Sequence, residues 1–219
     1  MSNSLWQKRW KSNDIGFHRP TINPLFRRFL PKLNLTANEM ILVPLCGKSQ
    51  DMNLIVEQGY RVMGVELSRI AIHGYFDACK LTPQRIKKGR FSVWEAGNIE
   101  IWCGDIFDLK AKELSHIRTM YDCTSLTAFA PQARPRYVRH FFDKLARQSQ
   151  IMLMTTESPD ENLIHSELTI DSEVQALYQN NYEIKLLHGQ NSLVIDPEYP
   201  EAPRSMMEEK VYLIKTLNR

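Results

Sequence analysis

The sequence lacks any C-x-x-C pair, although the 219-residue chain contains four cysteines. Zinc knuckles and thioredoxin-type redox sites require such pairs, so both classes of site are excluded. A chain of this length with 43% hydrophobic residues can bury a full core and does not depend on disulfides. We therefore expect Cys46, Cys79, Cys103 and Cys123 to be reduced thiols in a cytoplasmic protein, and we expect no metal site.

Long apolar runs and an excess of one charge are also absent. No stretch approaches the roughly 18 apolar residues of a membrane span, and the N-terminus lacks the apolar core of a signal peptide. The 28 basic and 25 acidic side chains give a net charge of +3, which is too balanced for the basic face of a nucleic-acid-binding protein. We expect a monomer whose partner is a small molecule, with neither membrane nor nucleic acid involved.

The segment after residue 39 alternates between strand and helix patterns. Residues 40–45 predict a buried strand, a turn at Cys46-Gly47 follows, and residues 49–58 predict a helix. A strand at 61–66 and a helix that begins at Ser68 repeat the unit. This rhythm predicts a parallel sheet with right-handed crossovers, and hence an α/β fold. Further strands are predicted at 91–95, 99–103, 117–122, 151–155, 182–188 and 209–217, and further helices at 131–148 and 170–179.

The first 38 residues precede this pattern and are rich in aromatic side chains. Trp6 and Trp10 lie four positions apart on one face of a predicted helix, and Gly16-Phe17-His18 follows. One interpretation is an amphipathic helix docked on the core, and the other is a lid whose aromatic faces meet a cationic ligand. We treat residues 1–219 as a single domain, with a lid and helix at 1–38 and a sheet domain at 39–219.

Glu66 ends the second predicted strand, about 20 residues after the first turn. In nucleotide-binding sheets an acid at this point accepts hydrogen bonds from both ribose hydroxyls. The alternative is a surface acid at a strand end, because strand–acid matches are common. The turn carries one glycine and no G-x-G-x-x-G motif, so it is poorly suited to a pyrophosphate. The pattern indicates a ligand with a ribose but no phosphate and argues against NAD and FAD.

Two more acids follow later strands. Asp105, or the backbone beside it, could accept from an adenine amino group while Ile106 lies against the base; the alternative is a cap for the next turn. Asp122 ends the next parallel strand and is predicted to reach the same sheet edge. Asp122 and His18 are the candidates for a general base, and the sequence assigns neither. For Cys123 the alternatives are a nucleophile and a buried small thiol.

Six motifs carry a resemblance to a known family. They are Trp6-x-x-x-Trp10, Ile15-Gly16-Phe17-His18, Val43-Pro44-Leu45-Cys46-Gly47-Lys48-Ser49, Gly64-Val65-Glu66-Leu67-Ser68, Gly97-Asn98-Ile99 and Ile106-Phe107-Asp108-Leu109. With them the chain resembles the bacterial members of the thiopurine S-methyltransferase family across nearly its whole length. The resemblance implies a class I methyltransferase that uses S-adenosylmethionine (SAM). It also implies a Rossmann-like, doubly wound sheet of seven strands, the last antiparallel, with an N-terminal helical lid.

The resemblance further implies which residues contact SAM. The predicted contacts are Trp6, Trp10, Phe17, Leu45, Gly47, Glu66, Asp105, Ile106 and Cys123. Phe17 would also face the methyl acceptor, which the resemblance implies is a small thiol or selenium nucleophile. The alternatives are an oxygen, nitrogen or halide acceptor on the same scaffold, and a SAM-binding protein without turnover.

The departures from the family pattern concern the acceptor. Where the family commonly has Tyr-Asp-Arg, this chain has Tyr121-Asp122-Cys123. The usual Gly-Pro-Pro run is missing, and Ser158-Pro159-Asp160-Glu161 is found nearby. A proline-containing segment at 190–207, predicted to be a second lid, is acidic around Glu198, with Arg204 as a candidate substitute for a family arginine. Because arginine makes charge-assisted contacts to anions, we expect weak binding of anionic acceptors and poor activity on thiopurines.

Overall fold

The computed structural model describes residues 3–157, 170–194 and 205–217, and these residues form an α/β fold on one mixed sheet. The nine strands are β1 (Met40–Pro44), β2 (Arg61–Glu66), β3 (Gln84–Lys88), β4 (Phe91–Ala96), β5 (Ile99–Cys103), β6 (Thr119–Cys123), β7 (Gln150–Glu157), β8 (Tyr182–Val194) and β9 (Ser205–Thr216). They stand in the order β3-β4-β5-β2-β1-β6-β7-β9-β8.

Seven of these strands form the sheet that the resemblance implies. In the run β5-β2-β1-β6-β7-β9-β8, strand β9 is antiparallel to both of its neighbours, and the remaining pairs are parallel. The predicted fold class is therefore confirmed. Strands β3 and β4 extend the β5 edge by antiparallel pairing, so the described sheet is two strands wider than expected.

Helices cover both faces of the sheet. They are α1 (Asn3–Lys11), α2 (Pro24–Phe29), α3 (Asp51–Glu57), α4 (Arg69–Ala78), α5 (Ala111–Leu114), α6 (Ser125–Ala128), α7 (Arg134–Phe142) and α8 (Ile170–Tyr178). Successive side chains of β1 point to opposite faces. Leu42 belongs to the same buried cluster as Tyr137 of α7, whereas Ile41 belongs to a second cluster with Phe26 of α2. This division between two cores is what a doubly wound sheet requires.

Two helix starts near the carboxyl edge of the sheet have local causes. The Ser68 hydroxyl accepts from the N–H of Ala71 and caps α4 immediately after β2. The side-chain oxygen of Asn23 accepts from the N–H of Leu25, and Pro24 occupies the first position of α2. These caps turn the chain sharply after β2 and before β1, which leaves the ends of the strands open to a ligand.

The structure differs from the predicted elements at both edges of the sheet. The sequence predicts a loop at 82–89, but β3 forms there because its backbone groups pair with β4. This edge strand has no apolar run by which a sequence pattern could reveal it. Strands β8 and β9 reach Val194 and Ser205, beyond the predicted 182–188 and 209–217, because they pair with each other along their whole length.

The helix predicted at 131–148 is shorter than expected. It consists of a 3-10 turn, Pro131–Ala133, followed by α7, which ends at Phe142. The N–H of Ala146 then donates to the carbonyl of Ile117. That bond directs the chain back to the sheet and into β7, so tertiary pairing ends the helix before its sequence pattern does.

Some predicted features lie outside the described residues. These are the segment Ser158-Pro159-Asp160-Glu161, the prolines of the predicted second lid, Glu198 and Arg204. Within the part of the chain that the structure describes, no helix has the length and apolar character needed to cross a membrane.

Candidate functional site

A cleft lies at the carboxyl ends of β1, β2, β5 and β6, with residues of α1 in one wall. In open parallel sheets this is the edge at which ligands bind. All of the predicted SAM contacts line it: Trp6, Trp10, Phe17, Leu45, Gly47, Glu66, Asp105, Ile106 and Cys123. They come from four strand ends and from residues 3–19, which we call the arm. The fold therefore brings together every segment that the sequence singled out for the cofactor.

The turn after β1 brings the backbone close to the arm. Gly47 has a left-handed φ of +53°, and a Cβ at this position would lie 3.2 Å from Cζ2 of Trp10. Leu45 and Thr124, which follow the adjacent strands β1 and β6, also have positive φ, of 45° and 62°. Backbone strain of this kind costs free energy and tends to occur at functional sites. Here the strained backbone lies at two adjacent strand ends, and both strand ends line the cleft.

Glu66 is buried at the end of β2, with 7% of its surface exposed. Its Oε2 accepts from the N–H of Gly47 at 2.9 Å, and its Oε1 accepts from the N–H of Ser68 at 2.7 Å. Burial raises the pKa of this carboxyl, and the backbone hydrogen bonds oppose the rise. A carboxylate oxygen has two acceptor positions, so each oxygen retains one for a ligand hydroxyl. The buried position excludes the alternative of a surface acid.

Asp105 has the capping role that its sequence position suggested as the alternative, and its second oxygen holds the start of the arm. Its Oδ1 accepts from the N–H of Phe107 at 2.9 Å and caps the 3-10 turn that follows β5. Its Oδ2 accepts from the side-chain amide of Asn3 at 2.6 Å, which ties the start of the arm to the cleft. Ile106 is 6% exposed and forms part of the cleft lining beside them. This corner presents an acceptor next to an apolar surface.

The arm has features that bear on both of the interpretations that the sequence left open, and the lid interpretation stays a prediction. Trp10 is 7% exposed and docks against the first turn, as an amphipathic helix would. Phe17 is 47% exposed and meets Trp6 and Trp10 edge to face, with ring centroids 5.3 Å and 5.6 Å away. The guanidinium of Arg9 lies 4.8 Å from the Phe17 centroid. The arm therefore already holds a cation against an aromatic face.

Asp122 does not line the cleft, although it is the next-to-last residue of β6. Its side chain points away from the side of the strand that carries Tyr121 and Cys123, and it is fully buried. It accepts from the hydroxyl of Tyr137 and from the N–H of Ser125, both at 2.8 Å. Burial raises its pKa to about 6. The expectation that Asp122 reaches the ligand edge is therefore corrected: this carboxylate joins β6, α6 and α7 and is not part of the cleft lining.

Cys123 and His18 both line the cleft. Burial raises the pKa of the Cys123 thiol to about 12, which favours the buried small thiol over the nucleophile. Burial, and then the charge of Lys48, lower the pKa of His18 below its ordinary value. The imidazole is therefore neutral near pH 7 and able to accept a proton.

Asp51 forms a polar link in the lining of the cleft. Its Oδ2 accepts from the hydroxyl of Tyr121 at 2.8 Å, and its Oδ1 accepts from the N–H of Asn23 at 2.7 Å. The residue is 3% exposed, so these bonds compensate the cost of burying a carboxylate. The link fixes the first residues of α2 against β6 and shapes the cleft floor.

Sequence reasoning missed several lining residues, for reasons of distance along the chain. Lys48 and Asp51 follow the first turn and could have been found from their position alone. Asn3 and Arg19 gave no local signal, because their partners Asp105 and Glu209 lie 102 and 190 positions away. Among the described residues, no group of three or more His, Cys, Asp or Glu side chains could hold a metal ion.

Solved structures share the architecture at low sequence identity. A SAM-dependent methyltransferase from Anabaena variabilis aligns with a TM-score of 0.65 at 14% identity, over 98% of this chain and 95% of that one. The 1,6-didemethyltoxoflavin-N1-methyltransferase of Burkholderia thailandensis, solved with its substrate and S-adenosylhomocysteine, aligns with a TM-score of 0.63 at 13% identity, over 99% and 87%. At such identities the likeness shows the fold alone.

Sequence comparison gives the family. The family model described as thiopurine S-methyltransferase matches residues 1–217. The thiopurine S-methyltransferase of Nitrosospira multiformis is 35% identical over 217 residues, which are 99% of each chain. Because both matches extend over almost the whole sequence, this chain belongs to the thiopurine S-methyltransferase family and is an enzyme that methylates a small-molecule acceptor with SAM as its cofactor.

Proposed function

We propose that the nine cleft residues predicted from the sequence hold SAM, and that the acceptor is a small thiol or selenol. The observation that carries the proposal is Glu66, a buried carboxylate whose two oxygens each accept one backbone N–H and retain one further acceptor position. The two neighbouring hydroxyls of a ribose match that pair of positions. The single glycine of the first turn supports a nucleoside without a pyrophosphate.

The corner at Asp105 and Ile106 suits the adenine. Oδ2 of Asp105 accepts from Asn3 and has a second acceptor position for an exocyclic amino group. Ile106 offers the apolar surface on which a flat base can lie. The distance along the sheet edge from β2 to the adjacent β5 separates the ribose site from the base site, as a nucleoside requires.

The methionine end of SAM would lie between the first turn and the arm. Leu45 and Gly47 line this part of the cleft, and Nζ of Lys48 lies 6.0 Å from the Trp10 centroid, where it can meet a carboxylate. The rings of Trp6, Trp10 and Phe17 offer aromatic surfaces to a sulfonium. Each such contact with a cation contributes about 0.5–2 kcal/mol.

SAM carries a methyl group that is already activated on a sulfonium. The protein therefore has to align the acceptor and exclude water, and positioning of this kind can lower a barrier by about 7–11 kcal/mol. An aromatic thiol ionises near neutral pH and needs no strong base. That requirement agrees with a cleft that His18 lines and Asp122 does not. We assign no catalytic residue beyond these positioning contacts.

The proposal includes the setting of the enzyme. Residues 1–38 act as lid and helix and residues 39–219 as the catalytic sheet domain. The enzyme works as a cytoplasmic monomer without nucleic acid. All four cysteines are free thiols, which supports a reducing compartment.

A SAM titration followed by an acceptor screen tests the proposal. We expect calorimetry to give saturable binding of SAM and S-adenosylhomocysteine, and radiolabelled SAM to methylate thiophenol and benzeneselenol in preference to phenol, aniline or iodide. Turnover of 6-mercaptopurine is expected to be slow, because Cys123 replaces the family arginine. Preferred methylation of an oxygen, nitrogen or halide acceptor would refute the thiol assignment, and binding without any turnover would refute the enzyme assignment.

A further inference from the structure

Arg19 introduces a positive charge into the part of the cleft left for the acceptor. Lys48 and Arg19 are the lysine and arginine side chains among the described residues that line the cleft. Lys48 lies beside Trp10, on the proposed SAM side. Arg19 lies closer to the end of β6, where its positive charge acts to lower the pKa of the Cys123 thiol, which burial raises. A cation therefore faces the position at which the family commonly has an arginine.

The partner of Arg19 is a carboxylate that a ligand could replace. Nη2 of Arg19 lies 3.3 Å from Oε1 of Glu209, on β9. The two side chains are 49% and 32% exposed, and ion pairs this exposed are weak. A guanidinium has five N–H donors in a planar fork that matches a carboxylate, and this contact uses one of them. Arg19 thus has the capacity to bind a better-placed anion.

The backbone and the surrounding side chains favour a fixed position for this charge. Pro20 follows Arg19 directly and restricts it to extended conformations. Phe17 and Phe129, which both line the cleft, offer apolar surface to an aromatic ring. An aromatic acceptor with a carboxylate on one side of its ring and a nucleophile on the other would use both the guanidinium and the apolar surface.

We propose that Arg19 is an acceptor-binding, specificity-determining residue, that it selects aromatic thiols bearing a carboxylate, and that Glu209 occupies its guanidinium until such an acceptor binds. This inference rests on the proposed function, since it needs SAM and a thiol acceptor in the same cleft. It revises the expectation, drawn from Cys123 alone, that anionic acceptors bind weakly. Carboxylated acceptors keep a cationic partner, because Arg19 of the arm supplies the charge that the family arginine would supply from β6. Thiopurines carry no carboxylate and gain nothing from it.

Two acceptors that differ by one carboxylate provide the test. For the wild type and for Arg19→Ala, Arg19→Lys and Glu209→Gln, KM is measured with 4-mercaptobenzoate and with thiophenol. Arg19→Ala should raise KM for 4-mercaptobenzoate about tenfold, the factor expected for one charge-assisted hydrogen bond, and leave KM for thiophenol within about twofold. Arg19→Lys should give an intermediate value. Glu209→Gln should lower KM for 4-mercaptobenzoate alone, because it removes the competing carboxylate.

A binding measurement and a control variant separate recognition from turnover. Calorimetry with 4-(methylthio)benzoate, in the presence of S-adenosylhomocysteine, should show the same order of affinities among the variants. Arg27→Ala removes an exposed arginine of α2 that does not line the cleft, and it should change neither acceptor.

Four results would overturn the inference. Equal losses with both acceptors would mean that Arg19 acts on the thiolate or on folding, and unchanged KM values would mean that it binds no acceptor. Wild-type protein that binds no SAM would refute the proposed function, and this inference with it. If the wild type bound SAM normally but bound the acceptors with and without a carboxylate equally well, the inference would be refuted and the proposed function would stand.

Discussion

Glu66 links three functions of the cleft in one side chain. Its carboxylate holds the first turn through Gly47, begins the turn into α4 through Ser68, and keeps one acceptor position on each oxygen. Because the group is buried, the protein bears the cost of its desolvation whether or not a ligand is bound. A ligand that donates two hydroxyls therefore meets acceptors that are already oriented.

Glu66→Ala is expected to cost about 1.5–3 kcal/mol of SAM binding free energy, because two ribose hydroxyls lose an ionised acceptor. Calorimetric titration with SAM measures the loss. Urea unfolding of the same variant reports the separate effect of freeing two backbone N–H groups. Glu57→Ala, an exposed acid at the end of α3, is the matched control and should bind SAM normally. Unchanged SAM affinity in Glu66→Ala would reject the ribose assignment.

Gly47 satisfies two requirements at once: a left-handed backbone and close approach to Trp10. Gly97 has a similar φ of +57°, but a Cβ there would meet no atom within 4 Å. Both Gly47→Ala and Gly97→Ala should lose about 1 kcal/mol of folding free energy through backbone strain. Gly47→Ala should in addition weaken SAM binding, because the new methyl group displaces the arm.

Comparison of the two alanine variants isolates the contact with Trp10. Urea unfolding measures the shared backbone effect, and a SAM titration measures the difference. If both variants bound SAM as tightly as the wild type, the close approach of the arm to the first turn would not contribute to SAM binding.

At the scale of elements, the arm is held at both ends and along its middle. Asn3 donates a hydrogen bond to Asp105, and Trp10 packs against Gly47. Arg19 forms an ion pair with Glu209. The two outer contacts involve exposed groups, whereas Trp10 is almost fully buried. The arm therefore has one firm point of attachment and weaker ones on either side, which suits a cover that must admit and release a ligand.

Trp10→Ala should increase the SAM dissociation constant roughly two- to thirtyfold, the range expected from the loss of one aromatic–cation contact. The change should appear mainly as faster dissociation of SAM in stopped-flow measurements, because the arm no longer covers the site. Leu5→Ala, which removes a side chain that is 40% exposed on the same helix, serves as the control. Dissociation as slow as that of the wild type would show that the arm does not cover bound SAM.

At the scale of the whole molecule, the two cores on the sheet faces support opposite sides of the cleft. Tyr121 belongs to the cluster that includes α2 residues, and Met120 belongs to the cluster that includes α7 residues. Asp122 follows them and is enclosed with Tyr137 on the α7 side. The position of β6 relative to its helices thus depends on a buried carboxylate as well as on apolar packing.

Asp122 should make global stability depend on pH. Its pKa of about 6 in the folded protein lies above the ordinary 3.8, so between about pH 4 and pH 6 the folded state binds more protons than the unfolded state. The contribution of this group to stability therefore falls as pH rises through that window, by about 3 kcal/mol. Asp122→Asn removes the titration and keeps the shape of the side chain.

The variant should consequently gain stability relative to the wild type as pH rises from 4 to 7. Urea unfolding at several pH values measures the difference. Asp143→Asn, at an exposed position after α7, is the matched control. Methyl transfer should persist in Asp122→Asn, since this carboxylate does not line the cleft. A stability difference that stayed constant with pH would contradict the assignment.

Much of the proposed SAM site could be predicted from the sequence, because the features that form it are local or follow from the sheet topology. An apolar run, a one-glycine turn and a helix specify the first strand end, and parallel strands must end at a common edge. Leu45, Gly47, Glu66 and Asp105 therefore came together as predicted. The edge strand β3 and the full length of β8 and β9 could not be predicted in this way, because cross-strand pairing stabilises segments whose own pattern is weak.

The sequence by itself determined the family, the cofactor and the strand ends that face it. Only the tertiary structure decided which polar groups meet across the cleft. Asn3 reaches Asp105 over 102 positions and Arg19 reaches Glu209 over 190, and no local pattern records contacts at that separation. Asp122 was assigned to the wrong environment for a related reason: strand alternation allows either face, and the hydrogen bond from Tyr137 holds this carboxylate on the α7 face.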